Sequence, residues 1–195
     1  MKGFNILKRK GLGSSFVTFF LVFIAILLYY QYMTKPEINP NVPMPEGLHP
    51  VVQERTNQLV QQAAQKGISI VITDDFRSAE DQDLLFEKGR STEGNIVTHA
   101  KGGESYHNFG LAVDFAIKTS SDDVIWDMKY DGNGNSVADW TEVVQLAKEL
   151  GFNWGGDWAN FKDYPHLQMN FGLSIADLQS GQRPSEQPLT ADLFN

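Results

Sequence analysis

No charged side chain occurs between Gly11 and Thr34, and the stretch FVTFFLVFIAILLYYQYM inside that run is apolar on every side. Wound as an α-helix rising 1.5 Å per residue, the run is long enough to cross a hydrocarbon layer about 30 Å thick. A helix of a soluble core keeps a polar face, so a transmembrane signal-anchor is expected over residues 12–34. The run is longer than a signal-peptide apolar region and ends in Tyr29, Tyr30, Gln31 and Tyr32, with no small-x-small cleavage site. Those tyrosines fall where an interfacial aromatic belt sits. Whatever folds must therefore fold from the remainder.

The flanks orient that segment. Lys2, Lys8, Arg9 and Lys10 precede it and only Lys35 follows closely, which places residues 1–11 in the cytoplasm and the rest outside. The stretch KPEINPNVPMPEG holds four prolines without periodicity and reads as a spacer over 35–45. Residues 46–172 then suffice for one domain with one core, and 173–195 read as a polar, frayed tail. After Lys10 the chain carries 12 basic against 24 acidic side chains, with no Lys/Arg cluster, so nucleic-acid binding is excluded. The absence of cysteine removes disulfides, thiolate-held zinc, iron–sulfur clusters and thiol catalysis. Any metal must sit on carboxylates and on His49, His99, His107 or His166.

Periodicity predicts a helix from Pro50 to Lys66 stopped by Gly67, and a buried strand at ISIVIT. Ser78 or Asp75 caps a second helix over AEDQDLLFEKGR, leaving Arg77 at a strand end. In LAVDFAI, Leu111, Val113, Phe115 and Ile117 alternate with Ala112, Asp114 and Ala116, so an acid stands on a face of small residues. A third helix, WTEVVQLAKEL, stops at Gly151, and an aromatic loop leads into a last strand, HLQMNF. Strands and helices without regular β-α-β alternation predict an α+β domain, its small, largely antiparallel sheet flanked by helices.

Within SYHNFGLAVD, His107 and Asp114 meet on one ion only if the chain folds back at HNFG, a bend that Gly110 permits. In DYPHLQ, Asp163 precedes His166 by three residues. Two imidazoles, a strand carboxylate and a spare acid match a catalytic zinc site, where three protein ligands leave a position for water. Spacing alone leaves the plainer readings open: a hydrogen-bonded loop His107, an Asp114 paired with Lys or Arg, a core His166 and an Arg77 in a surface ion pair. An unpaired acid at the centre of an apolar strand costs several kcal/mol, which tips the balance toward a metal. Trp154 and Trp158, in WGGDW, are either an aromatic wall for substrate or core packing. His49 and His99 receive no role.

SYHNFGLAVD carries the SxHxxGxAxD motif, and DYPH the [DE]xxH motif, of the LAS-type (M15) zinc peptidases. That family comprises D-Ala-D-Ala carboxypeptidases, VanX-type dipeptidases and phage L-alanyl-D-glutamate endolysins. The resemblance runs from about Met44 to Met169 with no departure from the motifs. Within the family, FRSAEDQDLLFEKGR and LGFNWGGDWANFKDYPHLQM are most similar to the Gram-positive cell-wall L-alanyl-D-glutamate endopeptidases. The resemblance implies a hedgehog/DD-peptidase-like fold, with zinc on His107, Asp114 and His166. It also implies Asp163 as general base, Arg77 on the oxyanion, and Ser105 binding substrate or orienting the site. Peptidoglycan stem peptides are the implied partner, cut at L-Ala-D-Glu by a zinc-bound water. D-Ala-D-Ala carboxypeptidase activity is the alternative, and a non-catalytic wall-binding module the rival of another class. A monomer is expected.

DGNGNSVADWTE places Asp131, Asn133, Asn135, Asp139 and Glu142 at positions 1, 3, 5, 9 and 12 of an EF-hand-like loop. Ser136 stands where such a loop wants Gly and the preceding helix is doubtful, so a polar helix-capping turn with weak or no calcium binding is expected.

Overall fold

The computed structural model describes residues 12–33, 39 and 41–185. The expected cytoplasmic tail at 1–11, part of the spacer (35–38 and 40) and the chain from 186 onward lie outside the described residues. Two compact units divide the chain, Met1–Glu37 and Ile38–Asn195. The first contributes helix α1, Leu12–Met33, on which Phe19, Phe20, Leu21, Phe23, Ile26 and Leu28 are all exposed. Among the described residues, no helix is long and apolar enough to cross a membrane, so the expected spanning segment draws no support from them.

The second unit begins with α2, Pro50–Gln65. Pro50 supplies its first turn, and the His49 side chain caps it by accepting from the Val51 N–H. Val52, Thr56, Leu59 and Ala63 form its buried stripe. There follow β1 (Ile70–Asp74), α3 (Ala79–Glu87, capped by Ser78), a 3-10 turn (Tyr106–Phe109) and β2 (Ala112–Lys118). The order continues with β3 (Val124–Ile125), α4 (Asp139–Glu149), β4 (Asn153–Trp154), β5 (His166–Gln168) and α5 (Ile175–Gln179). The α+β expectation holds: the strands pair in the order β1-β2-β5-β4, with β3 also on β2, and every pairing is antiparallel.

Strand β2 is central, and its alternation decides where everything else sits. Leu111, Val113, Phe115 and Ile117 enter one core with Leu59, Trp140 and Val143. Phe115 and Trp140 stack with ring centroids 4.5 Å apart. Each large apolar side chain so buried contributes about 1.5–3 kcal/mol. The opposite face of β2 carries Ala112, Asp114, Ala116 and, at its far end, Lys118, so it leaves room above the sheet beside a single carboxylate.

Two expectations need correction. Strand β5 stops at Gln168, the last residue paired with β2 and β4, rather than at Phe171, which has a φ of 51°. The first part of the expected frayed tail is folded. Ser174 and Asp177 form a capping box that starts α5, and Leu178, only 1% exposed, docks into the core. The Tyr106 hydroxyl donates to the Leu173 carbonyl at 2.8 Å and fastens the same segment.

Candidate metal centre

Antiparallel pairing sets Asp114 of β2 directly opposite His166 of β5. Such partners project to the same face with Cβ atoms about 4.5–5.5 Å apart. His107 arrives from the 3-10 turn, which ends at Gly110 with φ 66°. A Cβ there would lie 2.2 Å from the Gly47 carbonyl oxygen, so only glycine lets the chain double back at this point. The bend that the sequence requires is therefore present, and it brings both imidazoles and the carboxylate together.

Nε2 of His107 lies 3.2 Å from Nδ1 of His166, and Oδ1 of Asp114 is 3.4 Å and 3.3 Å from those two nitrogens. Each ring's other nitrogen is already committed: Nδ1 of His107 donates to the Asp75 carbonyl at 2.6 Å, and Nε2 of His166 to the Gln168 amide oxygen at 2.9 Å. The two facing nitrogens therefore carry lone pairs. Asp114 Oδ1, buried without a hydrogen-bond partner, faces them. Three electron-rich atoms in mutual contact repel one another unless a cation sits among them. Donors about 2.0–2.2 Å from a tetrahedral zinc lie about 3.3–3.6 Å apart, and these side chains match that triangle. Asp75 and Gln168 orient the rings as outer partners of a metal site do.

Burial raises the pKa of Asp114, but the closeness of the His107 and His166 rings outweighs it and holds the carboxyl far below its ordinary range. For His107, burial pushes down, Asp114 and the Asp75 carbonyl push up, and the net direction is up. Asp163 is different. Burial and the charge of Asp114 raise its pKa against the opposing pull of His166, His107 and Arg77.

A cavity of about 760 Å³ opens over these groups and is lined, among others, by Arg77, Ser105, Trp158 and Asp163. Arg77 pairs with Asp74 and donates to the Gln82 amide oxygen at 2.6 Å, which holds its guanidinium at the cavity wall. Ser105 caps the 3-10 turn, accepting from the His107 N–H at 3.4 Å. Trp158 lies against the His166 ring, centroids 5.1 Å apart. Trp154, expected beside it, is not among the lining residues; its indole N–H donates to the Tyr164 carbonyl at 2.7 Å and its ring packs on the core. Gly155 explains how WGGDW passes so close: a Cβ there would meet the Asp163 carbonyl oxygen at 2.4 Å.

Three residues of the site escaped the sequence reading. Gln82, fully buried, joins Arg77 to the Ala100 carbonyl, which its amide N–H reaches at 2.8 Å, and no spacing rule singles it out. Asn108 is buried too and donates to the carbonyls of Arg77 and Ser78, clasping the two loops together. Gln168 had a signal: it lies two residues after His166 on a strand and so on the same face.

Three donors facing a cavity beside a carboxyl and a fixed cation form an arrangement of the kind that metal-assisted hydrolysis uses. Comparison with known proteins then narrows that chemistry. Residues 98–169 match a family model described as D-alanyl-D-alanine carboxypeptidase. The chain is 57% identical over 129 residues to the peptidoglycan L-alanyl-D-glutamate endopeptidase CwlK of Bacillus subtilis, covering 66% of this chain and 77% of that protein. It is 32% identical over 114 residues to the L-alanyl-D-glutamate peptidase of Listeria phage A118, covering 58% of this chain and 35% of that one. Among solved structures it is similar to the L-Ala D-Glu endopeptidase ChiX of Serratia marcescens, with a TM-score of 0.44 and 24% identity over 64% of this chain and 82% of that one. The chain belongs to the M15 peptidase family.

Proposed function

We propose that this protein is a membrane-tethered zinc endopeptidase that hydrolyses the L-Ala-D-Glu bond of peptidoglycan stem peptides on the outer side of the membrane. The observation that carries the reading is the triangle of lone-pair atoms on His107, Asp114 and His166, 3.2–3.4 Å on a side, inside a cavity that also holds Asp163 and Arg77. The identity with CwlK supports the choice of bond.

Zinc, when held by those three side chains, lowers the pKa of water to about 7 and polarises the scissile carbonyl. Asp163 takes the proton released as water attacks and returns it to the departing amine. Its raised pKa suits both transfers, and the base form is lost as pH falls through that pKa. Arg77, braced by Asp74 and Gln82, directs its charge to the oxygen on which negative charge develops. Ser105 and Trp158 line the path of the peptide, and Trp158 shields His166 from solvent.

Mass spectrometry of purified stem peptides treated with the full-length protein tests the bond. Fragments divided between L-Ala and D-Glu are expected; loss of a single terminal alanine would establish the carboxypeptidase instead. Asp163→Asn should lower kcat about 10²–10⁴-fold while zinc content stays near that of the wild type. Binding of stem peptides by the zinc-loaded protein with no fragment released would leave only a wall-binding module.

The tether rests on the uncharged run from Gly11 to Thr34 and on the basic residues before it. Because the chain has no cysteine, single introduced thiols report topology cleanly. In intact cells a membrane-impermeant maleimide should label Glu54→Cys but should reach Lys2→Cys only after permeabilisation. The opposite pattern rules out the orientation.

A further inference from the structure

The loop from Asp131 to Glu142 contributes no residue to the lining of the cavity. Asp131 Oδ1 accepts from the N–H groups of Gly134 and Asn135 at 2.8 and 3.1 Å, and its Oδ2 from that of Ser136 at 2.9 Å. Ser136 occupies the position where an EF-hand loop uses glycine, and its φ of 69° is the left-handed conformation that the sharp turn demands. The departure that argued against the loop in the sequence is thus absorbed by the backbone.

Side chains at positions 3, 5 and 12 converge. The amides of Asn133 and Asn135 both donate to Oε2 of Glu142, at 3.0 and 2.8 Å, while Lys66 pairs with its Oε1 at 3.1 Å. Their amide oxygens accept along the loop from the N–H groups of Asn135 and Val137, at 3.1 and 2.8 Å. The three carboxylates do not close on one point by themselves, so the amides and the Val137 carbonyl must supply the middle ligands.

Those hydrogen bonds are equally at home in a polar turn. The carboxylate of Asp139 is not. The residue is 2% exposed, and although Oδ2 accepts from the Gly132 N–H at 3.0 Å within the loop, Oδ1 is buried with no partner. A half-satisfied carboxylate at that depth is costly, and a capping turn gives no reason for it. Position 9 is where an EF-hand-like loop reaches its ion, often through a water.

We infer that residues 131–142 bind one calcium ion, through Asp131, Asn133, Asn135, the Val137 carbonyl and Glu142, with Asp139 reaching it through water. All the donors are hard oxygens, which select calcium over zinc. The ion clamps the start of α4, whose Trp140 stacks on Phe115, the neighbour of the metal ligand Asp114. The site is separate from the peptidase centre, and its test does not depend on which bond that centre cuts.

Calorimetry and thermal unfolding of the full-length, zinc-loaded protein in detergent, titrated with calcium chloride, provide the test. Binding with a Kd on the order of 10⁻⁴ to 10⁻³ M is expected, as in extracellular modules, together with a calcium-dependent rise in Tm. Asp131→Ala removes three hydrogen bonds and can unfold the turn, so Asp139→Asn and Glu142→Gln, which keep the side-chain shape, are the deciding variants. Each should weaken calcium binding at least tenfold while its calcium-free Tm stays close to that of the wild type. The inference fails if the wild type shows neither heat nor a Tm shift up to about 10 mM calcium, beyond the weakest such sites. It fails equally if both conservative variants bind calcium as tightly as the wild type.

Discussion

His166 does two jobs through the two nitrogens of one ring. Nδ1 belongs to the donor triangle, and Nε2 is held by the buried Gln168. Gln168→Leu removes that acceptor and should weaken zinc binding about 10–100-fold, read by competition against a chromogenic chelator. His107→Ala should abolish stoichiometric zinc altogether. The two tryptophans of WGGDW separate in the same manner, one by structure and one by site. Trp154→Phe loses the bond to the Tyr164 carbonyl and should cost about 1 kcal/mol in urea unfolding, with kcat/KM little changed. Trp158→Ala should instead raise KM, because Trp158 lines the cavity against His166.

At the scale of elements, the 3-10 turn and α5 matter most. Gly110→Ala forces a β-carbon to within 2.2 Å of the Gly47 carbonyl oxygen at a positive φ, so His107 must shift. Destabilisation above about 1 kcal/mol and weakened zinc binding should appear together, by denaturant melts and chelator competition. Helix α5 depends on its capping box. Ser174 hydrogen bonds lower the pKa of Asp177, outweighing a small contribution from burial, and Gln182 adds to the lowering. A depressed folded-state pKa means stabilisation that is complete above the unfolded value, about 3.9, and is lost as pH falls through the folded one. Hydrogen-exchange protection in 178–182 should therefore decline below about pH 4, and Asp177→Asn should show reduced protection at neutral pH without that acid step.

For the whole molecule, the division between Met1–Glu37 and Ile38–Asn195 predicts that deleting residues 1–37 leaves a cooperatively unfolding, zinc-binding domain. Near-ultraviolet circular dichroism and metal analysis of the truncated chain check this; loss of fixed aromatic signals would show that the first unit is needed for folding. How much of this was legible beforehand follows from the range of each interaction. Periodicity, caps and breakers act within a few residues, so the helices at 50 and 140, the central strand with its acid, the breaking glycines and the His/Asp motifs were readable in order along the chain. The antiparallel register that sets Asp114 against His166, the commitment of each outer ring nitrogen, the bracing of Arg77 by Gln82, the removal of Trp154 from the cavity and the docking of Leu178 were not. Each of those joins residues through space, where packing and hydrogen-bond satisfaction choose among partners that the local sequence leaves equal, and only the closed fold makes the choice.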